Sequence, residues 1–146
     1  MYFFIIALLL STHNPIPQTT NEEKQVLRLV EDFFVALEKQ DTVAFRNMFV
    51  KDAHNYAVWD VKDSVRLRSQ PSTRFRFTPG QILKERMRKK TTVVKLEGRI
   101  AMVWAPYDLW INEAFSHCGV DVFTLIKTSE GWRIVSIAYT MEKVGC

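Results

Sequence analysis

The sequence predicts a single α+β domain in which helices come first and an antiparallel sheet follows. Residues 21–40 place apolar side chains every three or four positions, which is typical of an amphipathic helix. From residue 91 onward, apolar and polar side chains alternate in runs separated by short turns, which is typical of strands. Helices followed by a meandering sheet indicate α+β rather than βαβ. With 146 residues, 47% of them hydrophobic, the chain suits one folded domain.

The first residues predict an export signal. An apolar run from Tyr2 to Leu10 precedes a polar, proline-containing stretch, although no Lys or Arg comes before it and no A-x-A site follows. The alternatives are an uncleaved anchor and a buried strand, and the run has about half the length of a spanning helix. We therefore expect residues 1–18 to be an export signal or a disordered leader, and the protein to be periplasmic or extracellular. A cytoplasmic location is the alternative.

Two helices and a first strand are predicted next. Thr20 and Glu23 form a capping box, which predicts the start of a helix. That helix has one apolar stripe, made of Val26, Leu29, Val30, Phe33, Phe34 and Leu37. Asp41 can cap a second, short helix over residues 42–49. Residues 52–60 then have the aromatic and β-branched character of a strand.

The middle and end of the domain are predicted to hold five strands and a third helix. Residues 65–77 alternate apolar and basic side chains on both sides of Gln70-Pro71, which predicts two short strands with Val65, Leu67, Phe75 and Phe77 inward. Residues 81–90 are expected to form a helix. The three longer strands are predicted over residues 93–111, 115–127 and 132–142.

Positive charge is concentrated in the middle of the chain. The net charge is only +4, yet residues 64–95 hold ten Lys and Arg residues and one acid, Glu85. Like charges on one hairpin face would favour an anionic partner, and the residues concerned are Arg66, Arg68, Arg74 and Arg76. The alternative is a solvated face balanced by the acidic first helix. Nucleic acid is not expected as a partner, because the phenylalanines of this segment alternate inward.

Cysteine and metal patterns are weak. Cys118 and Cys146 could pair in an oxidising compartment, but their spacing does not decide it, and we expect no disulfide. No metal is expected, because His13, His54 and His117 lack the close spacing of a zinc site and no C-x-x-C or H-E-x-x-H occurs. No glycine-rich phosphate loop is present, and no cofactor is expected.

A family resemblance covers nearly everything after residue 20. Residues 103–140 are similar to the C-terminal half of nuclear transport factor 2-like proteins, in particular the branch called putative lumazine-binding, with P-Y, S-H-C-G-x-D-x-F and G-W-x-I elements. The Phe-x-x-Asp-Ala turn at residues 49–53 is similar as well. The resemblance implies that residues 20–146 form one cystatin-like domain, a cone-shaped, curved, mixed or antiparallel sheet that encloses a pocket with the N-terminal helices. It also implies homodimers that pair sheet against sheet.

Asp121 is the strongest candidate site residue. An acid within the apolar strand at residues 120–126 must be paired, exposed at a rim or raised in pKa. Strand alternation places it on one face with His117, Gly119, Phe123 and Leu125. The resemblance aligns Asp121 with the oxyanion-stabilising acid of the superfamily's steroid isomerases, but their catalytic base aligns with Ala57, which is not a carboxylate. The resemblance therefore does not extend to a steroid-isomerase mechanism.

The expected function is binding of a small organic molecule in the pocket. The residues expected to line it are Tyr56, Trp104, Tyr107, His117 and Asp121. One alternative is an isomerase, dehydratase or cyclase in which Asp121 or His117 moves a proton, because the superfamily contains such enzymes as well as binders. A second alternative is a dimeric module that binds an anionic partner. His117 and the aromatic residues also have a purely structural interpretation as packing or hydrogen-bonding groups.

Overall fold

The computed structural model describes residues 20–146, and the export signal predicted for residues 1–18 lies outside this range. The elements are, in order, α1 (Asn21–Lys39), α2 (Thr42–Asn47), β1 (Phe49–Val61), β2 (Ser64–Pro71), β3 (Leu83–Met87), β4 (Val93–Glu97), β5 (Ile100–Ile111), β6 (Ala114–Thr128) and β7 (Gly131–Met141). Short 3-10 turns occupy Ser72–Arg74 and Lys89–Thr91. Within the described residues, no helix combines the length and the apolar character needed to cross a membrane.

The two helices begin where their capping residues predict. The N–H of Glu23 donates to Oγ1 of Thr20 at 3.1 Å, and the N–H of Thr20 donates to the Glu23 carboxylate at 2.7 Å. The N–H of Ala44 donates to the Asp41 carboxylate at 2.9 Å and so caps α2. Helix α1 buries the predicted stripe from Val26 to Leu37. Local side-chain chemistry therefore determines both helix starts.

The strands form one curved, unclosed, mixed sheet in the order β2-β1-β7-β6-β5-β3. Strand β1 pairs parallel with β7, and every other pairing is antiparallel. Strand β5 serves two neighbours, since β4 pairs with residues 100–104 and β3 with residues 107–111. Breaks in register after Leu109 and Thr124 bend the central strands. The α+β architecture with a curved sheet confirms the predicted fold class.

An aromatic cluster joins the helices to the concave face of the sheet. Phe33 of α1 lies 5.2 Å from both Phe45 of α2 and Phe123 of β6, measured between ring centroids. Phe75 stacks on Phe45 at 4.9 Å. Each buried aromatic side chain is worth roughly 1.5–3 kcal/mol of transfer free energy, so this cluster anchors both helices over the sheet. Space remains on one side of it, near β3 and β6.

The prediction of a third helix is wrong, because residues 83–87 form strand β3. Its side chains alternate, with Glu85 opposite buried Leu109 of β5 in the antiparallel register. The N–H of Arg88 continues the pairing by donating to the Pro106 carbonyl at 2.7 Å. The apolar positions of this short segment fit either periodicity, and the available edge of β5 decides in favour of the strand.

The predicted hairpin over residues 65–77 is also wrong in its second half. Strand β2 pairs with β1, and the chain then turns so that Phe75 and Phe77 pack inward on Phe45. Their inward position was predicted, but Val65 and Leu67 lie on the convex face, each 68% exposed. The register explains this orientation, because Leu67 pairs with Val58 while the neighbouring position pairs with buried Ala57.

The expectation of no disulfide is wrong. Cys118 of β6 and Cys146 are disulfide-bonded, with their Cα atoms 5.7 Å apart. A two-way backbone pairing between Cys118 and Glu142 brings the C-terminal residues alongside β6. The two cysteines are 28 positions apart in the chain, so only this pairing, and not their spacing, reveals that they meet.

Candidate functional site

A cavity of about 190 Å³ lies between the helices and the concave face of the sheet. Its apolar walls are formed by Phe33, Leu37, Phe45, Phe75, Leu109 and Ile137. An engineered apolar cavity of ~150 Å³ is large enough to bind benzene, so this one has room for a compound of about one ring or slightly more. Aliphatic and aromatic walls favour an apolar, flat body.

One row of paired residues crosses the concave face and carries the cavity's polar groups. Arg68 pairs with Ala57, Ala57 with Tyr139, Tyr139 with Asp121, and Asp121 with Ala105. Directly paired residues project from the same side of a sheet, so all five belong to the concave face. The two alanines leave room above the sheet between the larger side chains. We call these five residues the concave row.

Two carboxyl groups meet at the inner end of the cavity. Asp121 is 4% exposed, and its Oδ2 accepts no hydrogen bond from any donor among the described residues. Glu85 reaches the cavity from β3 and is half-buried as a residue. Burial raises the pKa of Glu85 to about 7, and a hydrogen bond to Asp121 opposes part of that rise.

Both carboxyl groups hold a proton more tightly than acids in water do. Burial, and then the charge of Glu85, raise the pKa of Asp121 well above its usual range. A protonated Asp121 can donate a hydrogen bond to the Glu85 carboxylate, which relieves the repulsion between them. When a ligand replaces the hydrogen bond between the two acids, the cavity end offers it a donor from Asp121 and an acceptor from Glu85.

Tyr107 and His117 lie beside the carboxyl pair, and both are neutral at pH 7. The Tyr107 hydroxyl donates to the Thr140 carbonyl at 2.7 Å, and burial followed by the nearby acids raises its pKa. Burial, and then Lys143, lower the pKa of His117, whose ring lies 5.9 Å from that of Tyr107. Nδ1 of His117 is 2.9 Å from Oγ of Ser116.

Gly119 allows Tyr107 and the Thr140 carbonyl to pack closely against β6. A Cβ atom at this position would lie 2.1 Å from the Thr140 carbonyl oxygen and 2.9 Å from the Tyr107 ring. Gly119 separates His117 from Asp121 on the concave face, so its missing side chain lets Tyr107 occupy the space between them. Close approach, not backbone conformation, requires glycine here.

The structure separates the residues expected to line the pocket into two groups. Tyr107, His117 and Asp121 line the cavity, whereas Tyr56 and Trp104 do not. Tyr56 is 38% exposed and Trp104 is 45% exposed, both on the convex face, so the expectation that they line the pocket is wrong. Strand alternation is the reason, since the buried neighbours Asn55 and Ala105 point inward instead.

Sequence reasoning missed Glu85 and Asn55 as cavity residues. Asn55 takes the inward position beside Tyr56, and its Oδ1 accepts a hydrogen bond from the Ser72 hydroxyl at 2.8 Å. Glu85 is the one acid among ten basic residues in the segment 64–95. That isolation, together with a period of two relative to Leu83 and Met87, is the signal that could have identified it.

The four arginines predicted to share an outer hairpin face do not do so. Arg66 and Arg68 pair with Trp59 and Ala57 and lie on the concave side of β2. Arg74 ends a 3-10 turn, and Nη1 of Arg76 donates to the carbonyl groups of Thr73 and Phe75 at 2.5 and 2.8 Å. The structure therefore does not contain the basic hairpin that was predicted to favour an anionic partner.

Across residues 20–146, no group of three or more His, Cys, Asp or Glu is placed to hold a metal ion.

Solved structures with low sequence identity share the fold. A nuclear transport factor 2-like protein of unknown function from Shewanella baltica OS155 is 21% identical, with 84% of this chain and 96% of that chain covered and a TM-score of 0.55. A cystatin-like protein of unknown function from Nostoc punctiforme PCC 73102 is 11% identical, with coverage of 88% and 97% and a TM-score of 0.65. A protein described as a putative dehydratase of the same superfamily, from Streptomyces avermitilis, is 12% identical, with coverage of 81% and 94% and a TM-score of 0.58.

These identities support the fold alone. No match is found among curated proteins. The sequence profile of one family, described as putative lumazine-binding, matches residues 21–140, which is most of the chain. This match agrees with the motifs at residues 103–140 and with the curved sheet. The chain therefore belongs to the putative lumazine-binding family, and it shares its fold with the nuclear transport factor 2-like structures above.

Proposed function

We propose that the protein binds a small organic molecule of about one or two rings in the cavity beneath α1. The observation that carries this proposal is the Asp121 carboxyl, buried at 4% exposure with Oδ2 unpartnered, at the end of an otherwise apolar cavity. An unsatisfied buried polar group costs roughly 1–3 kcal/mol. A ligand that hydrogen-bonds to this group recovers that free energy, and its flat body fills the apolar space.

The carboxyl pair defines the polar edge of the ligand. In place of the hydrogen bond between the two acids, a protonated Asp121 donates one hydrogen bond to the ligand and the Glu85 carboxylate accepts one from it. Neighbouring acceptor and donor atoms, such as the C=O and N–H of a ring amide, complement this pair. Lumazine, after which the family is named, is a two-ring heterocycle with such edges, and it is a suitable first probe.

Ligand-observed NMR with a set of one- and two-ring compounds, including lumazine, tests the proposal. We expect compounds with a ring amide to bind more tightly than apolar rings of equal size. Asp121→Leu, which removes both the donor and the acceptor at similar size, should weaken the best binder at least about tenfold, the size of one hydrogen bond to a charged or buried group. Asp63→Leu, at an exposed turn, is the matched control. Unchanged affinity in folded Asp121→Leu would contradict the assigned role.

A second candidate function is proton transfer in the same cavity. The observation that favours it is that the two carboxyl groups suit different roles. The pKa of Glu85 is near 7, so it can ionise and act as a base, whereas the pKa of Asp121 is raised well above its usual range, so it keeps its proton. Glu85 could then remove a proton while Asp121 stabilises the developing oxyanion, with neutral His117 as the alternative base. This chemistry suits an isomerase, dehydratase or cyclase.

Hydrogen exchange separates the enzyme from the binder. A bound ring ketone is incubated in deuterium oxide, and deuterium at the carbon beside its carbonyl is followed by NMR. An enzyme should accelerate this exchange, and Glu85→Gln should abolish the acceleration while the ketone still binds. A binder should leave the exchange rate at its value in buffer. The pH profile of an active protein should show an apparent pKa near 7.

We also propose that the protein is exported and that it forms a homodimer. Export is supported by the Cys118–Cys146 disulfide, because such bonds persist in oxidising compartments. Fractionation of cells that express the full sequence, with mass measurement of the exported species, tests this proposal.

A homodimer is supported by the apolar convex face of the sheet, which exposes Trp104 and Tyr56.

A further inference from the structure

Arg68 stands apart from the other basic residues of the chain. Among the described residues it is the only Lys or Arg that lines the cavity. It lies on the edge strand β2, within the concave row and opposite Ala57. Because Ala57 is small, the Arg68 guanidinium extends over it to Tyr139 and donates from Nη2 to the hydroxyl oxygen at 3.2 Å. Tyr139 in turn pairs directly with Asp121.

The Arg68 guanidinium has no acidic partner in the part of the chain that the structure describes. On the opposite edge of the sheet, by contrast, Arg86 meets Glu38 at 2.6 Å and Arg88 meets Asp108 through two hydrogen bonds. Arg68 uses one of its five N–H donors on the Tyr139 hydroxyl. Its charge is therefore available to a group that enters from the mouth of the cavity.

The cavity is polarised along the concave row. Its inner end holds the Asp121–Glu85 pair and repels anions, whereas its outer end holds Arg68 and attracts them. We propose that the ligand carries a carboxylate opposite its neutral hydrogen-bonding edge, and that Arg68 binds this carboxylate at the mouth. The planar guanidinium fork matches a carboxylate in two parallel hydrogen bonds. The inference rests on the proposed function, because it assigns the substrate class of the same cavity.

This arrangement fixes which way the ligand enters. The neutral edge goes in first and meets the carboxyl pair, while the carboxylate stays near water beside Arg68 and Tyr139. Reversal would bring an anion against Glu85 and would leave Arg68 without a partner. A ring compound that lacks the carboxylate should therefore still enter the cavity, but with lower affinity.

Matched pairs of ring carboxylates and their carboxamides test the inference, beginning with 4-hydroxybenzoate and 4-hydroxybenzamide. The members of each pair have equal size, so their difference in affinity reports the charge. Titrations followed by NMR are made with the full chain and with three variants. Arg68→Gln removes the charge and Arg68→Lys keeps it without the fork. Arg66→Gln makes the same change two residues away on the same face, outside the cavity lining.

We expect the unmodified protein to bind the carboxylates at least tenfold more tightly than the carboxamides. Arg68→Gln should reduce this preference to twofold or less, Arg68→Lys should retain part of it, and Arg66→Gln should leave it intact. Equal affinity for both members of the pairs in the unmodified protein would overturn the inference and leave the proposed function standing. Equal losses in Arg68→Gln and Arg66→Gln would overturn the assignment to Arg68. Failure of every carboxylate and carboxamide to bind would reject the proposed function as well.

Discussion

At the scale of single residues, the Asp121–Glu85 pair places two carboxyl groups where burial opposes their ionisation. Taking two carboxylates out of water and placing them together is unfavourable, so the fold retains a proton that the unfolded chain would release. Such a site persists in a small domain when function requires it, which is why strongly perturbed acids in a cavity indicate functional sites. The cost should be visible in stability.

The unfolding free energy should fall as pH rises from about 4.5 to about 7. The pKa of Glu85 increases from 4.5 in the unfolded chain to about 7 in the fold, so the native state binds more protons in this window. A shift of this size corresponds to about 3 kcal/mol, which is lost as Glu85 ionises. Glu85→Gln should remove the part of the decline that Glu85 contributes and leave the part due to Asp121, whose pKa is raised chiefly by burial. Urea denaturation at pH 5 and pH 8 measures it.

Comparison between variants isolates this contribution from that of His117. The lowered pKa of His117 acts in the opposite direction, since stability gained at that residue rises with pH up to about 6.5. The His117 contribution is present in both the unmodified protein and Glu85→Gln, so it cancels when their unfolding free energies are subtracted. Glu113→Gln, at an exposed turn, is the matched control and should keep the pH dependence of the unmodified protein. A Glu85→Gln protein with the same decline would contradict the assignment.

At the scale of elements, β6 and β7 are joined unusually closely at Gly119. Gly119→Ala should destabilise the domain by about 2–4 kcal/mol, because its Cβ would overlap the backbone oxygen of Thr140 at 2.1 Å and the strands would have to separate. Gly98→Ala is the control, since nothing lies within 4 Å of a Cβ there and only its positive φ of 54° adds strain. Thermal or urea unfolding of both variants measures the difference. Similar losses in the two variants would show that the close approach carries no cost.

The C-terminal segment depends on its disulfide to stay beside β6. Cys146→Ser should lower the unfolding free energy by about 3–4 kcal/mol, from the entropy of a closed loop of this length. A reducing agent should lower the stability of the unmodified protein to that of the variant and leave the variant unchanged. Equal stability of the unmodified protein in oxidised and reduced form would contradict a stabilising role for the bond.

At the scale of the whole molecule, the two faces of the curved sheet differ in shape and in exposed side chains. The concave face holds the cavity, whereas the convex face carries an apolar row in which Trp104 pairs with Val122, Val122 with Ala138, and Ala138 with Tyr56. A large exposed apolar patch on a sheet is typical of a contact surface. We propose that these outward aromatic residues belong to a contact surface between two copies of the chain.

Trp104→Arg should shift the protein from dimer to monomer. The change places a charge in the middle of the apolar row, where a second copy would have to desolvate it. Light scattering after size exclusion, over a range of concentrations, measures the mass. Val43→Arg, on exposed α2 at the helical side, is the matched control and should remain dimeric. A monomeric unmodified protein, or dissociation by both variants, would count against the convex face.

The sequence by itself determined the features that local chemistry encodes. The capping box at Thr20 and Glu23 and the apolar stripe of α1 predicted the first helix, and period-two alternation predicted that strand β6 would place His117 and Asp121 on one face. The motifs at residues 103–140 indicated the putative lumazine-binding family. In each case the signal lies within a few residues of what it specifies, so no distant partner is needed to interpret it.

Only the tertiary structure decided which segments meet. The edge of β5 makes residues 83–87 a strand and carries Glu85 to Asp121. The register of β2 against β1 turns Arg68 inward and Leu67 outward, which reverses the prediction from alternation alone. The return of the chain past β7 brings Cys146 to Cys118. Register and pairing depend on residues far apart in the chain, and a one-residue change in register reverses every side chain of a strand. For that reason the sequence analysis did not predict the site's second carboxyl, the inward position of Arg68 or the disulfide of the domain.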